Sequence, residues 1–442
     1  MTISVNSAAG AKGNEANFIT DANGNVVGLV GPDGGTEVGA LVNSVRLRQK
    51  NVGIRIFDGR IAATHAVDGT SGTTYAATFT LAAVPDAIYP IYANGNTGST
   101  ITLNAVSACA VPDTDFNGNS QSLTVGSVAT KNTIPVSPGT TQQGWLVGER
   151  ILLDNPNGYN RVHIRAHVAA GAGTIIIMGN GSNGSSDDFT NWATRSGLEH
   201  IFRQQTGNNT ATAGAFTSTT NVSYSPIVGL VYIARGRVFS VMVSGDSIDT
   251  GRGTYHSDSP VWQAIRSKAR AGYAVEFANI GWAGSSTANN RNNHLAAFAA
   301  GIVPDILVRP TASPNDISTS IPDSTVKTWR QTAAIIFDDC RQYGVTFVPR
   351  TMCPANSSID TPTGIKNYGS DDAKRVAWNA EVLSWRENGV FVADWNSPVS
   401  AATANANGQV PFASGMTTDS IHPNDAGNSA IAAQMLLDGV LP

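Results

Sequence analysis

RVFSVMVSGDSID, residues Arg237–Asp249, is the stretch that decides the fold. Arg237–Val243 is a short, nearly continuous apolar run with no polar alternation, as in a strand covered on both faces. It breaks at Ser244-Gly245, and a polar turn, Asp246-Ser247-Ile248-Asp249, follows at once. A serine in a glycine-containing turn just off a buried strand sits on the sheet edge where ligands bind.

Downstream, strand-like and helix-like runs alternate. Ser259-Pro260 places an N-cap before proline at the first helical position, and Gly272 closes that helix. Ala274–Ile280 reads as a strand, Asn289–Ala300 as a helix ending at Gly301, and Asp305–Arg309 as a strand. Asp323–Tyr343 reads as a long helix, Val345–Met352 as a strand, Asp371–Glu387 as a helix, Val390–Asp394 as a fifth strand and Asn424–Leu437 as the last helix. The pattern predicts a flavodoxin-like three-layer α/β/α domain over 236–442, with a parallel sheet covered on both faces. Right-handed crossovers bring every strand's C-terminal end to one edge.

The residues at those strand ends carry chemistry. The Ser247 hydroxyl is a weak nucleophile until a neighbouring base removes its proton. After the second strand, Asn279–Thr287 contains glycines able to turn a backbone N–H toward a bound oxygen. After the third, Pro310–Asp316 offers an asparagine side chain as a further donor. Before the last helix comes Asp419-Ser-Ile-His-Pro423. A histidine three residues after an aspartate can be oriented by that carboxylate while its other nitrogen faces the serine.

These four blocks, in this order, resemble those of the SGNH (GDSL) hydrolases over roughly residues 238–440. GDSI at 245–248 matches the nucleophile block, and DSIHP at 419–423 the base block. The resemblance implies a serine esterase with Ser247 as nucleophile and Asp419 and His422 as its base. It further implies an oxyanion hole formed by the Ser247 N–H, Gly284 and Asn315, with no metal or cofactor. The third block departs from the usual Gly-x-Asn-Asp: it reads Ser313-Pro314-Asn315-Asp316, so Ser313 is expected to alter the loop that places Asn315.

Neighbouring residues carry plainer alternatives. Asp246 and Asp316 read as loop hydrogen-bonding groups. Trp282 is a candidate substrate wall, with core packing as the competing reading. Tyr255 and His256 lie in the loop after the nucleophile, where substrate contacts are plausible. His294 reads as a surface or packing histidine. His65, His163, His167 and His200 read as structural or solvated, and Asp394-Trp395 as a cap.

The first half has a different texture. Residues 46–235 read as an all-β sandwich or jelly-roll domain preceding the hydrolase. Alternation appears in Val52–Phe57, Thr74–Leu81, Ser99–Val106, Val162–Val168 and Thr174–Met178, separated by Asn/Gly-rich turns. Asp188–Arg203 has the pattern of a short helix, and Thr206–Thr220 that of a polar loop. Residues 1–45 read as a Gly/Asn-rich hairpin around Asn23-Gly24, an attachment or oligomerisation segment.

Composition narrows the function classes. The 442 residues carry a net charge of −4 with 14% charged side chains, against about 25% in average chains. Scattered Lys and Arg argue against a nucleic-acid partner, and no apolar run approaches the roughly 20 residues of a membrane span. Three cysteines, Cys109, Cys340 and Cys353, read as free buried thiols. His163 and His167 fall in a strand and make no helical metal pair.

The resemblance leaves the ester open. The β-rich module and the Arg309-Pro310-x-x-Ser313-Pro314-Asn315-Asp316 form resemble carbohydrate O-acetyl esterases, so an acylated carbohydrate is the expected substrate. A small-molecule ester or thioester hydrolase and a non-catalytic polysaccharide-binding tail component are the alternatives. The N-terminal segment has a short resemblance to phage and prophage tail proteins and lacks the pattern of a cleaved signal. These features point to an extracellular or virion-associated protein, trimeric if tail-associated, with a cytoplasmic location as the alternative.

Overall fold

The computed structural model describes residues 4–7, 17–20, 26–30, 51–56, 61–95, 97–112, 124–126, 132–139, 142–171, 174–179, 200–211, 216, 224–251, 259–270, 272, 274–317, 321–355, 372–405 and 408–441. Tyr255 and His256, most of the 188–203 and 206–220 segments, and the Asn23-Gly24 turn lie outside the described residues.

At the N-terminus, β1 (Ser4–Ser7), β2 (Asn17–Thr20) and β3 (Val26–Val30) form an antiparallel three-stranded sheet, so strands flank Asn23-Gly24 as the hairpin signal requires. The β-rich region then runs through β4 (Val52–Ile56), β5 (Ile61–Ala66), β6 (Thr73–Thr80), β7 (Pro85–Asn94), β8 (Ile101–Val111) and β9 (Thr124–Gly126). It continues with β10 (Thr133–Ile134), β11 (Gly144–Val147), β12 (Ile151–Leu152), β13 (Arg161–Val168), β14 (Thr174–Gly179), β15 (His200–Thr206), β16 (Tyr224–Ser225) and β17 (Ile227–Ala234). Residues 200–203 are therefore strand, not helix: β15 pairs with β6 from His200↔Phe79 to Thr206↔Thr73. Pairing to an existing sheet overrides the local helical pattern there.

The second half supplies β18 (Phe239–Val243), α1 (Pro260–Arg270), β19 (Val275–Asn279), α2 (Thr287–Ala299) and β20 (Ile306–Pro310). After these come α3 (Asp323–Tyr343), β21 (Thr346–Arg350), α4 (Asp372–Ser384) and α5 (Asp425–Leu437). Ser259 caps α1 by accepting the Trp262 N–H at 3.2 Å, and Gly344 ends α3 in the left-handed conformation at φ 67°. The fifth strand is shorter than its apolar pattern promised. Only Ala393 bridges, in parallel, to Arg350. The parallel order is β19-β18-β20-β21 with Ala393 outermost, the doubly wound order of flavodoxin-like folds. Helices α1 and α5 share one apolar cluster with the sheet, around Val241, Ile265, Phe277 and Ile431. Helices α2 and α3 cover the other face through Phe298, Ile336 and Cys340.

The two halves are joined through one sheet. Its order is β11-β7-β17-β4-β19-β18-β20-β21, with β12 beside β7. Strand β4 pairs antiparallel with β17 and, at Ile56↔Ala278, parallel with β19. A second sheet, β10-β8-β13-β6-β15 with β9 beside β8, packs its apolar face on the antiparallel part through Phe79, Leu103, Ile164, Ile91 and Leu230. The two sheets share one apolar core, and one of them continues into the parallel sheet. Glu276 on β19 reinforces the junction. It accepts the Ala82 N–H at 2.6 Å and the Tyr232 hydroxyl at 2.7 Å, and lies 3.7 Å from Arg55. Cys109, Cys340 and Cys353 are buried and form no disulfide.

Candidate active site

The C-terminal end of β18 delivers Ser244–Ser247 to the sheet edge. The turn is tight. Thr250 N–H donates to Asp246 O at 3.2 Å, Gly251 N–H to Ile248 O at 3.0 Å, and the Thr250 hydroxyl to Ser247 O at 2.9 Å. Gly245 is required here. A Cβ on it would lie 1.8 Å from Asp249 Oδ2.

Across the edge, Asp419–His422 forms a self-bonded turn. Asp419 Oδ1 accepts the backbone N–H groups of Ile421 at 3.0 Å and His422 at 2.8 Å, while Oδ2 meets His422 Nδ1 at 2.5 Å. Ser420 holds the turn with φ 72°, the left-handed region that L residues other than glycine rarely adopt. Thr417 Oγ1 donates to His422 O at 2.7 Å and fixes the histidine's own backbone. His422 Nε2 then lies 2.8 Å from Ser247 Oγ. With the carboxylate on Nδ1, that nitrogen carries the proton and Nε2 accepts from the Ser247 hydroxyl. Burial works to raise the Asp419 carboxyl, but the hydrogen bond and charge of His422 outweigh it and hold the group down at about 2.

Two more loops are stitched to the Ser247 turn. Trp282 N–H and the Ser285 hydroxyl both donate to Gly245 O, at 2.9 and 3.1 Å. Gly284, between them in sequence, has φ 84°, so the chain reverses there as glycine permits. Asn315 Nδ2 donates to Ser285 O at 3.0 Å, which ties the third loop to the second. Asp316 accepts the N–H and hydroxyl of Thr287 at the start of α2. The structure therefore gathers Ser247, His422 and Asp419 in one hydrogen-bonded line, with Gly284 and Asn315 on loops bonded to the same turn and to each other.

Trp282 is only 7% exposed and belongs to the core around Phe298 and Ile280, so its indole packs rather than lines an open wall. His294 is fully buried, its Nδ1 3.0 Å from Arg309 Nη1, which makes it a packing histidine with a guanidinium partner. His163 and His167 are also buried, beside Thr78 and Thr74. Burial, followed by the charges of Arg165 and Arg203, pushes His163 down to about 3. Asp394 does cap: it accepts the N–H groups of Asn396 and Ser397, each at 3.1 Å.

Sequence reading missed the buried charges under the Ser247 turn. Arg350, at the end of β21, holds Asp249 in a two-point ion pair at 2.8 and 2.5 Å and lies 3.6 Å from Asp246. It also missed the use of Ser313. That hydroxyl donates to Asp246 Oδ2 at 2.8 Å and accepts the Asn315 N–H at 3.2 Å. Ser313 has φ −102°, so the position does not need glycine. An arginine from a distant strand gives no spacing signal, and a lone loop serine gives none either.

Among the described residues, no group of three or more His, Cys, Asp or Glu side chains is gathered as a metal site requires. No helix of the described residues is long and apolar enough to cross a membrane.

The sequence matches no family model and no curated protein. Solved structures do show likeness. A GDSL-like lipase from Bacteroides thetaiotaomicron is 15% identical, with 46% of this chain and 87% of that one covered, at a TM-score of 0.32. An acetylxylan esterase from Geobacillus stearothermophilus is 13% identical over 45% of this chain and 93% of its own, at 0.34. A psychrotrophic esterase from Pseudoalteromonas is 11% identical over 45% and 95%, at 0.32.

Proposed function

We propose that the protein is a serine-dependent ester hydrolase. The observation that carries this reading is the unbroken line from Asp419 through His422 to Ser247, at 2.5 and 2.8 Å. Those distances lie within hydrogen-bond reach of a working base and nucleophile. In the proposed cycle His422 takes the Ser247 proton, and Ser247 Oγ attacks the ester carbonyl carbon. The carbonyl π pair moves onto oxygen. We assign the Ser247 and Gly284 N–H groups and the Asn315 side chain as the donors that receive this charge. His422 gives its proton to the leaving alcohol as the acyl–alcohol bond breaks. Water, deprotonated by the same imidazole, then releases the acid and regenerates Ser247. Asp419 holds the imidazole in the required tautomer throughout.

For the substrate we propose a short acyl group, acetyl, on a carbohydrate. The Arg309–Asp316 form of the third block and the β-rich module built onto the catalytic sheet support this choice. The test measures acetate released from acetylated polysaccharides together with an acyl-length series of p-nitrophenyl esters. Ser247→Ala is expected to lose turnover while keeping its circular dichroism spectrum; wild-type turnover in that variant overturns the hydrolase reading. Equal rates on acetyl and long-chain esters overturn the acetyl assignment.

A further inference from the structure

We propose that Arg350 is a positioning residue for the nucleophile: it clamps the carboxylates of Asp249 and Asp246 beneath Ser247 and so sets the aim of the serine turn. The inference rests on the ester-hydrolase reading above.

Three observations carry it. The first is reach. Arg350 ends β21, which is separated from β18 by β20, yet its Nε and Nη2 bond Asp249 at 2.8 and 2.5 Å, and its guanidinium lies 4.5 Å over the Trp395 ring. Its side chain and those of Asp246 and Asp249 are fully buried. The second is what the carboxylates hold. Asp249 Oδ2 accepts the Asp246 N–H at 3.0 Å, and Asp246 Oδ1 accepts the Ile248 N–H at 3.0 Å. The peptide N–H groups on either side of Ser247 are thus fixed by one charge network. The Asp246 carboxylate also receives the Ser313 hydroxyl, whose loop carries Asn315. The third is cost. Gly245 must lack a side chain for Asp249 to sit where it does. Two buried carboxylates and one buried cation are expensive to keep out of water, and an apolar turn would hold the strand end without them.

The groups facing this network include Arg309 from β20, Cys353 beyond β21, Asp316 from the third loop, and His422 across Ser247. Arg350 stays charged, because its two carboxylate neighbours outweigh burial. Burial raises the Asp249 carboxyl; without Arg350 its charged form is left facing Asp246 with no shared cation, and the turn between them is pushed apart.

The test compares full-length wild type, Arg350→Met, Arg350→Lys, the double variant Asp249→Asn/Arg350→Met, and Ser247→Ala, on p-nitrophenyl acetate over the pH range in which each stays folded. Arg350→Met is expected to lower kcat on the order of 100-fold with KM little changed, the loss deepening as pH rises. Arg350→Lys keeps the charge but not the fork, so it should flatten that pH dependence while restoring kcat only in part. The double variant should regain about tenfold in kcat over Arg350→Met, because one of the opposed carboxylates is gone. Should Arg350→Met fail to fold in a thermal melt, the lysine and double variants carry the test. Wild-type kcat in Arg350→Met, a loss confined to KM, or a double variant no better than the single overturns the positioning role. Full turnover in Ser247→Ala overturns the hydrolase reading instead, so the two failures are distinguishable.

Discussion

At the scale of single residues, Asp419 does two jobs with one carboxylate. It orients His422 through Nδ1, and it closes its own turn by accepting two backbone N–H groups. Asp419→Asn should therefore cost turnover roughly 10⁴-fold, since an amide in that place favours the wrong tautomer. The same substitution should change acid stability. The carboxyl is held at about 2 in the folded protein, below the roughly 3.9 of an unfolded chain. Its contribution to folding is thus complete above the unfolded value and disappears as pH falls through the folded one. Urea unfolding at stepped acidic pH should show a steeper loss in wild type than in Asp419→Asn. Identical slopes would mean that this carboxylate is not held by the fold.

Elements place these residues. Strand β18 is buried along Ser240–Val243, and its abrupt end at Ser244-Gly245 makes the serine turn. Gly245→Ala should disrupt that turn, because its methyl would overlap the Asp249 carboxylate. Overpacking of this kind costs about 1–3 kcal/mol. Chemical denaturation should show that loss alongside reduced turnover, and a variant of native stability and activity would mean that Asp249 can withdraw freely. The elements were largely legible. Asp323–Tyr343 forms one helix from end to end, because proline precedes it and glycine follows. The strands at Pro85–Asn94 and Ile227–Ala234 do not stand out by alternation in the sequence. Pro85 and Pro90 argue against an interior strand by removing donors, yet β7 lies between β17 and the short strands β11 and β12. The Val390–Asp394 run kept its apolar pattern but reached the sheet at one residue only.

At the scale of the whole molecule, β4 belongs to both halves at once. A boundary drawn at 235/236 marks a change of texture, but the sheet runs straight through it. Glu276→Leu should test that coupling, since it removes the carboxylate that lies 3.7 Å from the buried Arg55 and accepts the Tyr232 hydroxyl. Breaking one side of a buried pair costs about 3–5 kcal/mol. Far-UV circular dichroism and tryptophan fluorescence should move together in one transition, shifted to lower temperature. Two separate transitions would show that the β-rich half and the α/β half unfold independently.

The parallel layer, the candidate nucleophile and base, and the loops that carry Gly284 and Asn315 are readable from the chain's local patterns. Those features follow from local patterns: apolar runs, caps, and short motifs at strand ends. The folded chain alone shows that Ser247, His422 and Asp419 meet in one line, that Trp282 is core, and that Arg350 reaches beneath the serine. It shows as well that β4 ties the two halves into one sheet. Each of these depends on residues far apart in the chain, whose meeting is set by sheet order and buried packing, neither of which leaves a periodic trace in the sequence.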